Sequence, residues 1–200
     1  MGKIVANWFR DNCGMRLEMY AKMLKDQNLR GNVFKALDII EKGIATGGKI
    51  LIFGNGGSAA ESQHFAAELV CQFQKKRVAI PAIALTTDTS ILTAQGNDHG
   101  FDSVFERQIE ALCHPGDVVI GLTTSDVYHN GHSRNIFNAF GAAHKKGAKK
   151  IGLFSIKTKN LISIGLVDVP ILIPAENTAL IQEAHLAIIH MLCERIEENL

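Results

Sequence analysis

The chain has 200 residues, of which 46% are hydrophobic and 20% charged, and its 21 basic and 20 acidic side chains give a formal net charge of +1. This size and composition predict one folded domain, residues 1–200, and exclude a disordered chain. The balanced charge offers no broad basic surface for direct nucleic-acid binding. No apolar run approaches the roughly 20 residues of a membrane-spanning helix.

Targeting and redox features point to the cytoplasm. The N-terminus shows no uninterrupted apolar stretch followed by a small-residue cleavage site, so we expect a cytoplasmic protein. The four cysteines, at positions 13, 71, 113 and 193, have no short paired spacing. A disulfide framework or a cysteine zinc site is therefore not expected.

Two helices are expected to precede the first strand. Apolar residues recur at helical spacing over 4–24 and again over 33–44, before a break at Gly47 and Gly48. We interpret residues 1–46 as a helical extension that packs on the core and on partner subunits.

After residue 48, short apolar segments alternate with helical segments. The predicted strands are 49–53, 80–85, 117–122, 150–154 and 168–173, and the predicted helices are 58–73, 90–94, 101–112, 135–146, 160–166 and 177–198. Strands without polar alternation are buried on both faces, as in a parallel sheet. The sequence therefore predicts a flavodoxin-like α/β fold, a doubly wound parallel sheet of five strands with helices on both faces. The apolar band of the last helix is broader than one sheet face requires, which predicts an oligomer interface.

A glycine-rich segment, Gly54-Asn55-Gly56-Gly57-Ser58, lies where the first predicted strand ends and a helix begins. Glycines allow a sharp turn and the close approach of a ligand, and the free amides of a helix start favour an anion or a polar sugar. The same residues also suit a simple strand-to-helix turn capped by Ser58. Taken alone, the glycines support the two interpretations about equally.

Three hydroxyl side chains, Thr123, Thr124 and Ser125, end another predicted strand, and Ser133 precedes the next helix. Hydroxyls and helix-start amides at the carboxyl edge of a parallel sheet can hold a phosphate, and open α/β sheets bind ligands at that edge. One such loop is often only a capping turn, but two at the same edge favour a sugar-phosphate site.

A further polar pair, Asn97 and Asp98, follows Gly96 after the second predicted strand. These side chains can orient sugar hydroxyls. Asn and Asp beside Gly are, however, more often simple turn formers.

Two groups of residues are candidates for acid-base or metal chemistry. His64 and Glu68 lie four residues apart on the helix after the glycines, so they share one face and can bind a divalent metal or divide acid and base roles. By spacing alone, an ordinary exposed helix pair is the favoured alternative. The last helix carries a second polar group among apolar neighbours: Gln182, Glu183, His185 and His190.

The spacing on the last helix leaves the roles of its histidines open. Gln182 and His190 are separated by about 12 Å of helix rise. For these two side chains to meet one ligand, they must reach toward each other or come from neighbouring subunits. The alternative is a core-facing histidine bonded to a backbone carbonyl, and the residues do not decide between His185 and His190.

In combination, these motifs resemble the sugar isomerase (SIS) domain family and, within it, the phosphoheptose isomerase group that acts on sedoheptulose 7-phosphate. The resemblance runs from about residue 37 to the end of the chain. It is strongest over residues 54–68 (GNGGSAAESQHFAAE), and it extends to residues 82–88 (AIALTTD), 96–98 (GND) and 181–190 (IQEAHLAIIH).

The resemblance implies an aldose-ketose isomerase that forms D-glycero-D-manno-heptose 7-phosphate through an enediol, the first step toward the heptose of bacterial lipopolysaccharide or capsule. It assigns acid/base catalysis to Glu68 and His190, and of the two we expect His190 to be the carbon base and Glu68 the hydroxyl shuttle. It implies one zinc per subunit and a homotetramer with active sites between subunits. The implied zinc ligands are His64, Glu68, Gln182 and His190.

The same resemblance assigns the substrate-binding residues. The residues implied to hold the sugar are Asn55, Gly56, Gly57, Ser58, Glu68, Asn97, Asp98 and Gln182. Those implied to hold the phosphate are Thr123, Thr124, Ser125 and Ser133.

The chain departs from the family pattern at three places, which bear on the identity of the sugar phosphate. Gln72 and Leu180 stand where the family has arginine, and both changes remove fixed positive charge. The compact hydroxyl loop of the family is extended here over residues 126–132. In it Asp126 is expected to place a negative charge beside the phosphate, with His129 or His132 to offset it.

Two other functions are alternatives to catalysis. The initiator-associating protein that binds DnaA shares the fold and the tetramer, but its group typically lacks the helix glutamate and the last histidine, so Glu68 and His190 favour an enzyme. A regulatory sugar-phosphate-binding module would keep the loops without needing both acid/base groups, and binding without turnover would distinguish it.

Overall fold

The computed structural model describes residues 2–199, with side chains from Asn7 onward. The helices within this range are α1 (Gly2–Lys25), α2 (Gln27–Ala45), α3 (Gly57–Val70), α4 (Thr89–His99), α5 (Val104–Leu112), α6 (Arg134–Lys145), α7 (Asn160–Ser163) and α8 (Thr178–Asn199), with a 3-10 turn at Phe101–Ser103. The strands are β1 (Ile50–Gly54), β2 (Ala82–Ala84), β3 (Val118–Leu122), β4 (Lys149–Ser155) and β5 (Val169–Ile173).

The five strands form one sheet in the order β2-β1-β3-β4-β5, and every neighbouring pair is parallel. This confirms the predicted doubly wound sheet. Successive strands are added on one side of β1 for β2 and on the other side for β3 to β5, so the strand order reverses between β1 and β3. In such folds ligands bind at that point, in the crevice beyond the carboxyl ends of the strands. The loops after β1 and β3 are the glycine and hydroxyl segments that the sequence singled out.

Two apolar layers cover the sheet. Ile50 and Ile52 face a core shared with α2, α3 and α8, whereas Leu51 and Phe53 face a core shared with α5 and α6. The strands are apolar in both directions because both faces are buried. α1 lies outside the first layer, and Met19 is its one buried residue among the side chains described.

Several predicted boundaries differ from the structure, including the end of the helix predicted over 160–166, which stops at Ser163. β2 covers only Ala82–Ala84, because this edge strand follows Pro81, which has no N–H to donate. α3 ends at Val70 and not near 73, so residues 71–79 form an irregular segment. Gly96 is not a turn: α4 continues through it to His99, and the positive-φ glycine that ends the helix is Gly100.

No helix in the described part of the chain is long and apolar enough to span a membrane.

The close contact between β3 and α6 generates a stability prediction. A Cβ on Gly121 would lie 2.5 Å from Phe140 Cζ, whereas Gly141 on α6 has open space around it. We expect Gly121→Ala to destabilise the protein by about 1–3 kcal/mol through overpacking. Gly141→Ala, the matched control, should stabilise it by about 0.5–1 kcal/mol through helix propensity. Urea unfolding at a fixed protein concentration measures both, and effects of the same sign would contradict this packing.

Candidate active site

The glycine segment is joined to the start of α6 by a pair of asparagines. Asn55 Nδ2 donates to Asn135 Oδ1 at 2.9 Å, and Asn135 Nδ2 donates back to Asn55 Oδ1 at 2.8 Å. Asn135 is buried, and its Oδ1 also accepts from the Ile136 N–H. The sequence analysis missed Asn135, although its place two residues after Ser133 at a helix start was a usable signal. The reciprocal bonds hold the loops after β1 and β3 together.

The turn from β1 into α3 requires glycine at Gly56. Gly56 is the N-cap of α3 and has φ +56° and ψ −119°, which an L side chain rarely adopts. Ser58 is therefore not the cap. It lies buried in the first turn of α3, and its carbonyl accepts a 2.7 Å hydrogen bond from Ser62 Oγ.

Gln182 of α8 lies directly across Gly57. A Cβ at position 57 would be 2.2 Å from Gln182 Nε2, so no larger residue fits without moving the amide. The second glycine of the turn is therefore explained by contact with α8 and not by the turn itself. This contact brings the first turn of α8 against the beginning of α3.

Further along the same two helices, His64, Glu68 and His190 converge. His64 Nε2 is 2.9 Å from His190 Nε2 and 3.4 Å from Glu68 Oε1. The His64 and Glu68 side chains are 38% and 19% exposed, so the cluster is reachable from solvent. Three of the four predicted zinc ligands thus meet within one chain. Among the described residues no hydrogen bond joins Gln182 to them.

The His64–His190 hydrogen bond pairs two imidazole nitrogens. A neutral imidazole carries one N–H and one lone pair, so one of the two Nε2 atoms donates and the other accepts. The cluster therefore holds a basic nitrogen beside a carboxylate and an N–H. These are the groups that acid-base catalysis on a neighbouring carbon and hydroxyl requires.

The donor types of this cluster suit zinc, although they are not yet spaced for it. Two imidazole nitrogens and one carboxylate oxygen are common zinc ligands, and tetrahedral coordination separates ligand atoms by about 3.3 Å. The 3.4 Å distance from His64 to Glu68 meets this spacing, and the 2.9 Å between the imidazoles must lengthen by a few tenths of an ångström. No group of three His, Cys, Asp or Glu side chains is already arranged for a metal in the part of the chain described.

His185 is separate from the cluster. Its side chain is fully buried, and its Nε2 lies 3.1 Å from the Phe154 carbonyl oxygen, so Nε2 is the donor there. Its Nδ1 faces Glu61 Oε2 of α3 at 3.9 Å. The structure thereby decides between the two histidines of α8. His185 is the core-facing histidine bonded to a backbone carbonyl, and His190 belongs to the site.

The hydroxyl segment after β3 lies near the start of α8. Thr123 Oγ1 accepts from the Ser125 N–H at 3.2 Å, and Thr124 Oγ1 lies 3.4 Å from Thr178 Oγ1. Thr178 is a second polar residue that the sequence analysis missed. Ser133, the N-cap of α6, has φ +59° and is the one non-glycine residue with positive φ in the described chain. Hydroxyls at helix starts of this kind suit a phosphate.

The charge of Asp126 is already compensated. Its Oδ1 accepts from the N–H groups of Val127, Lys159 and Asn160, and its Oδ2 accepts from the Tyr128 hydroxyl. Burial alone would raise the pKa of Asp126, but these hydrogen bonds outweigh it and lower the pKa. The expectation that this carboxylate acts directly beside the phosphate therefore gives way to a structural role at the start of α7.

Asn97 and Asp98 lie apart from these contacts. Both are exposed on α4, and Asn97 Nδ2 donates to Asp98 Oδ1 at 2.7 Å. In the described chain no hydrogen bond links them to the other candidate residues. Of the two positions that replace family arginines, Leu180 is buried in the core and Gln72 is exposed.

The chain is similar to known proteins over most of its length. The SIS domain family matches residues 17–155. A phosphoheptose isomerase from Syntrophotalea carbinolica is 52% identical over 166 residues, which cover 83% of this chain and 81% of that protein. A phosphoheptose isomerase from Aquifex aeolicus is 45% identical over 193 residues, covering 95% of this chain and 93% of that protein.

Solved structures agree with these relatives. The phosphoheptose isomerase GmhA from Neisseria gonorrhoeae superposes with a TM-score of 0.86 at 37% identity, over 97% of this chain and 99% of that one. A phosphoheptose isomerase from Francisella tularensis superposes with a TM-score of 0.88 at 30% identity, over 97% and 98%. Because sequence and structure match along nearly the whole length, the chain belongs to the SIS-domain family and, within it, to the phosphoheptose isomerase family.

Proposed function

We propose that this protein is a sugar-phosphate isomerase that converts sedoheptulose 7-phosphate to D-glycero-D-manno-heptose 7-phosphate, which supplies heptose for a surface polysaccharide. The observation that carries the proposal is the cluster in which His64 lies 2.9 Å from His190 and 3.4 Å from Glu68, so that imidazoles and a carboxylate meet at one place. The glycine and hydroxyl loops at the sheet switch point supply the neighbouring polar site. Relatives up to 52% identical are named phosphoheptose isomerase.

The reaction needs two proton transfers on neighbouring atoms. In the ketose-to-aldose direction, a base removes a proton from C1, the electrons form the C1–C2 double bond of an enediol, and a proton is then returned to C2. A second group moves the hydroxyl proton from the oxygen on C1 to the oxygen on C2. We assign His190 to the carbon proton and Glu68 to the hydroxyl proton, with the His64 imidazole orienting His190 through their 2.9 Å hydrogen bond.

The binding groups are assigned by their place in the fold. Asn55, Gly56 and Gly57 are proposed to contact the sugar, and Thr123, Thr124 and Ser125 the phosphate, with Ser133 at the start of α6. Asn97 and Asp98 are proposed to bind sugar hydroxyls from the exposed face of α4. The amides of helix starts and neutral hydroxyls hold a phosphate without needing the arginines that Gln72 and Leu180 replace.

Zinc is proposed to be held by His64, Glu68 and His190, with Gln182 as the fourth ligand. When bound, zinc would polarise the two substrate oxygens and stabilise the negative charge of an enediolate. The donor set supports this, since His64 lies 2.9 Å from the His190 imidazole and 3.4 Å from the Glu68 carboxylate.

The active unit is proposed to be a homotetramer. α1 and α2 leave large apolar side chains uncovered, including Leu24 at 87% exposure and Phe34 at 62%. Together with Met191 of α8 they line a mainly apolar groove of about 740 Å³. A second copy of the chain suits this groove, because contiguous apolar surface of this kind marks interfaces.

The acid-base roles predict a loss of turnover without a loss of fold. We expect Glu68→Gln and His190→Gln each to reduce kcat on sedoheptulose 7-phosphate by at least about 100-fold, in line with general acid-base contributions. Exposed Glu110→Gln on α5 and His144→Gln on α6 are the matched controls and should leave kcat unchanged. Aldose formation and circular dichroism check these outcomes, and near-normal kcat in either site variant would contradict the mechanism.

The metal assignment predicts about one zinc per chain in protein purified without chelators. We expect chelation to remove both zinc and turnover, and re-addition of zinc to restore turnover. His64→Gln should lower the zinc content measured by mass spectrometry of the metal, whereas His144→Gln should not. Full turnover after complete removal of metal would contradict a role for zinc.

The apolar groove predicts that a charge within it disrupts assembly. We expect Leu24→Glu to shift the protein from a tetramer to smaller species in light scattering, because a buried charge is costly at an apolar interface. Ile164→Glu, at an exposed apolar position outside the groove, is the control and should leave the mass unchanged. A Leu24→Glu tetramer as stable as the unmodified one would exclude this interface.

A further inference from the structure

A buried ion pair joins α8 to the irregular segment after α3. The Arg77 and Glu197 side chains are 6% and 1% exposed, and Arg77 Nε lies 3.2 Å from Glu197 Oε1. The Glu197 carboxylate also accepts hydrogen bonds from the N–H groups of Phe73, Gln74 and Lys75, at 2.6, 2.8 and 2.9 Å. Residues 73–75 are therefore attached to α8 by three N–H donors on one carboxylate, beside the ion pair with Arg77.

These donors keep Glu197 charged. Burial alone would raise the pKa of this carboxyl group, but the three backbone N–H groups and Arg77 outweigh burial and hold the pKa below its usual value. Charge-assisted hydrogen bonds of this kind are among the stronger ones in proteins. The attachment between the segment and α8 is thus complete at neutral pH.

Arg77 also caps the end of α3. Its Nη2 donates to the Glu68 carbonyl at 2.6 Å, and its Nη1 donates to the Leu69 carbonyl at 2.8 Å. Carbonyls in the last turn of a helix have no partner within the helix, so these bonds occupy two of them. One guanidinium therefore connects the turn that carries Glu68 with the carboxylate on α8.

The segment places an aromatic ring on the proposed carbon base. The Phe73 ring stacks on the His190 imidazole, with ring centroids 5.2 Å apart and planes inclined by 18°. The His64 ring contacts the same imidazole edge-on, with centroids 5.1 Å apart and planes at 70°. His190 is therefore confined between a stacked ring and its hydrogen-bond partner.

We propose that Phe73 is a positioning residue for His190, and that the Arg77–Glu197 ion pair holds Phe73 against the imidazole. The proposal rests on the proposed isomerase function. A flat ring stacked on the imidazole restricts rotation about the side-chain bonds of His190 and so keeps Nε2 directed at His64. Small losses of such orientation are known to reduce catalysis strongly.

The kinetic test replaces the aromatic ring of Phe73 with an apolar side chain that has no ring. We expect Phe73→Leu to lower kcat by at least about tenfold with KM changed less than twofold, since Phe73 does not touch the substrate. Phe73→Tyr, which keeps the ring, should retain near-normal kcat. Phe105→Leu removes a buried ring on the opposite face of the sheet, so it should lower stability and leave kcat unchanged. An unchanged kcat in Phe73→Leu, or an equal loss in Phe105→Leu, would overturn the proposal.

The role of the ion pair is tested by combining variants. We expect Glu197→Gln to lower kcat, because the NH2 group that replaces one carboxylate oxygen cannot accept from the backbone N–H groups that face it, and the negative charge beside Arg77 is lost. Exposed Glu110→Gln on α5, outside the groove, is the control. If Glu197 acts through Phe73, the double variant Phe73→Leu/Glu197→Gln should lose less than the product of the single losses. Fully multiplicative losses would show that the two act independently and would overturn this part.

A spectroscopic measurement separates this proposal from the proposed function. The measurement is NMR of tetrameric protein labelled at histidine Cε1, in which the His190 resonance is identified as the signal missing from His190→Gln. This resonance should carry a ring-current shift from Phe73. We expect that shift to disappear in Phe73→Leu, persist in Phe73→Tyr and diminish in Glu197→Gln. If the unmodified protein does not turn over sedoheptulose 7-phosphate, the proposed function fails while these shifts still decide the positioning. A His190 resonance insensitive to Phe73→Leu would overturn it.

Discussion

The side-by-side packing of α3 and α8 on one face of the sheet is the contact on which the site depends. The two helices meet at successive levels: Gly57 against Gln182, Glu61 against His185, and His64 against His190. Residues 73–75, which follow α3, then meet Glu197. No member of the acid-base cluster is placed by its own helix alone, because His64 and His190 are 126 positions apart in the chain. A shift of one helix against the other would separate them.

The packing is held by different physical means at its two ends. At the beginning of α3 the contact is steric, because Gln182 occupies the space where a side chain on residue 57 would lie. At the far end it is electrostatic and buried, through Arg77 and Glu197. Between them the fully buried His185 donates to the Phe154 carbonyl of β4, which fixes α8 to the sheet as well.

The loops of the site obtain their arrangement from the sheet. β1 and β3 are neighbours although a strand and several helices separate them in sequence, and their carboxyl ends therefore meet at one edge. The Asn55–Asn135 pair then fixes the distance between the two loops. The left-handed conformation of Ser133 is strained backbone of the type found at binding sites. Rigid strands thus support both loops of the site.

Local patterns in the sequence determined the fold class, the main strands and helices, and the family, because hydrophobic periodicity, glycine turns and contiguous motifs are properties of short segments. His64 and Glu68 belong to this group, since four residues of helix place them on one face. Tertiary structure alone decided between His185 and His190, which lie about 140° apart around the helix axis. It alone also revealed Asn135, Phe73 and Glu197. Their contacts join positions separated by 80 or more residues, and no local pattern specifies such distances.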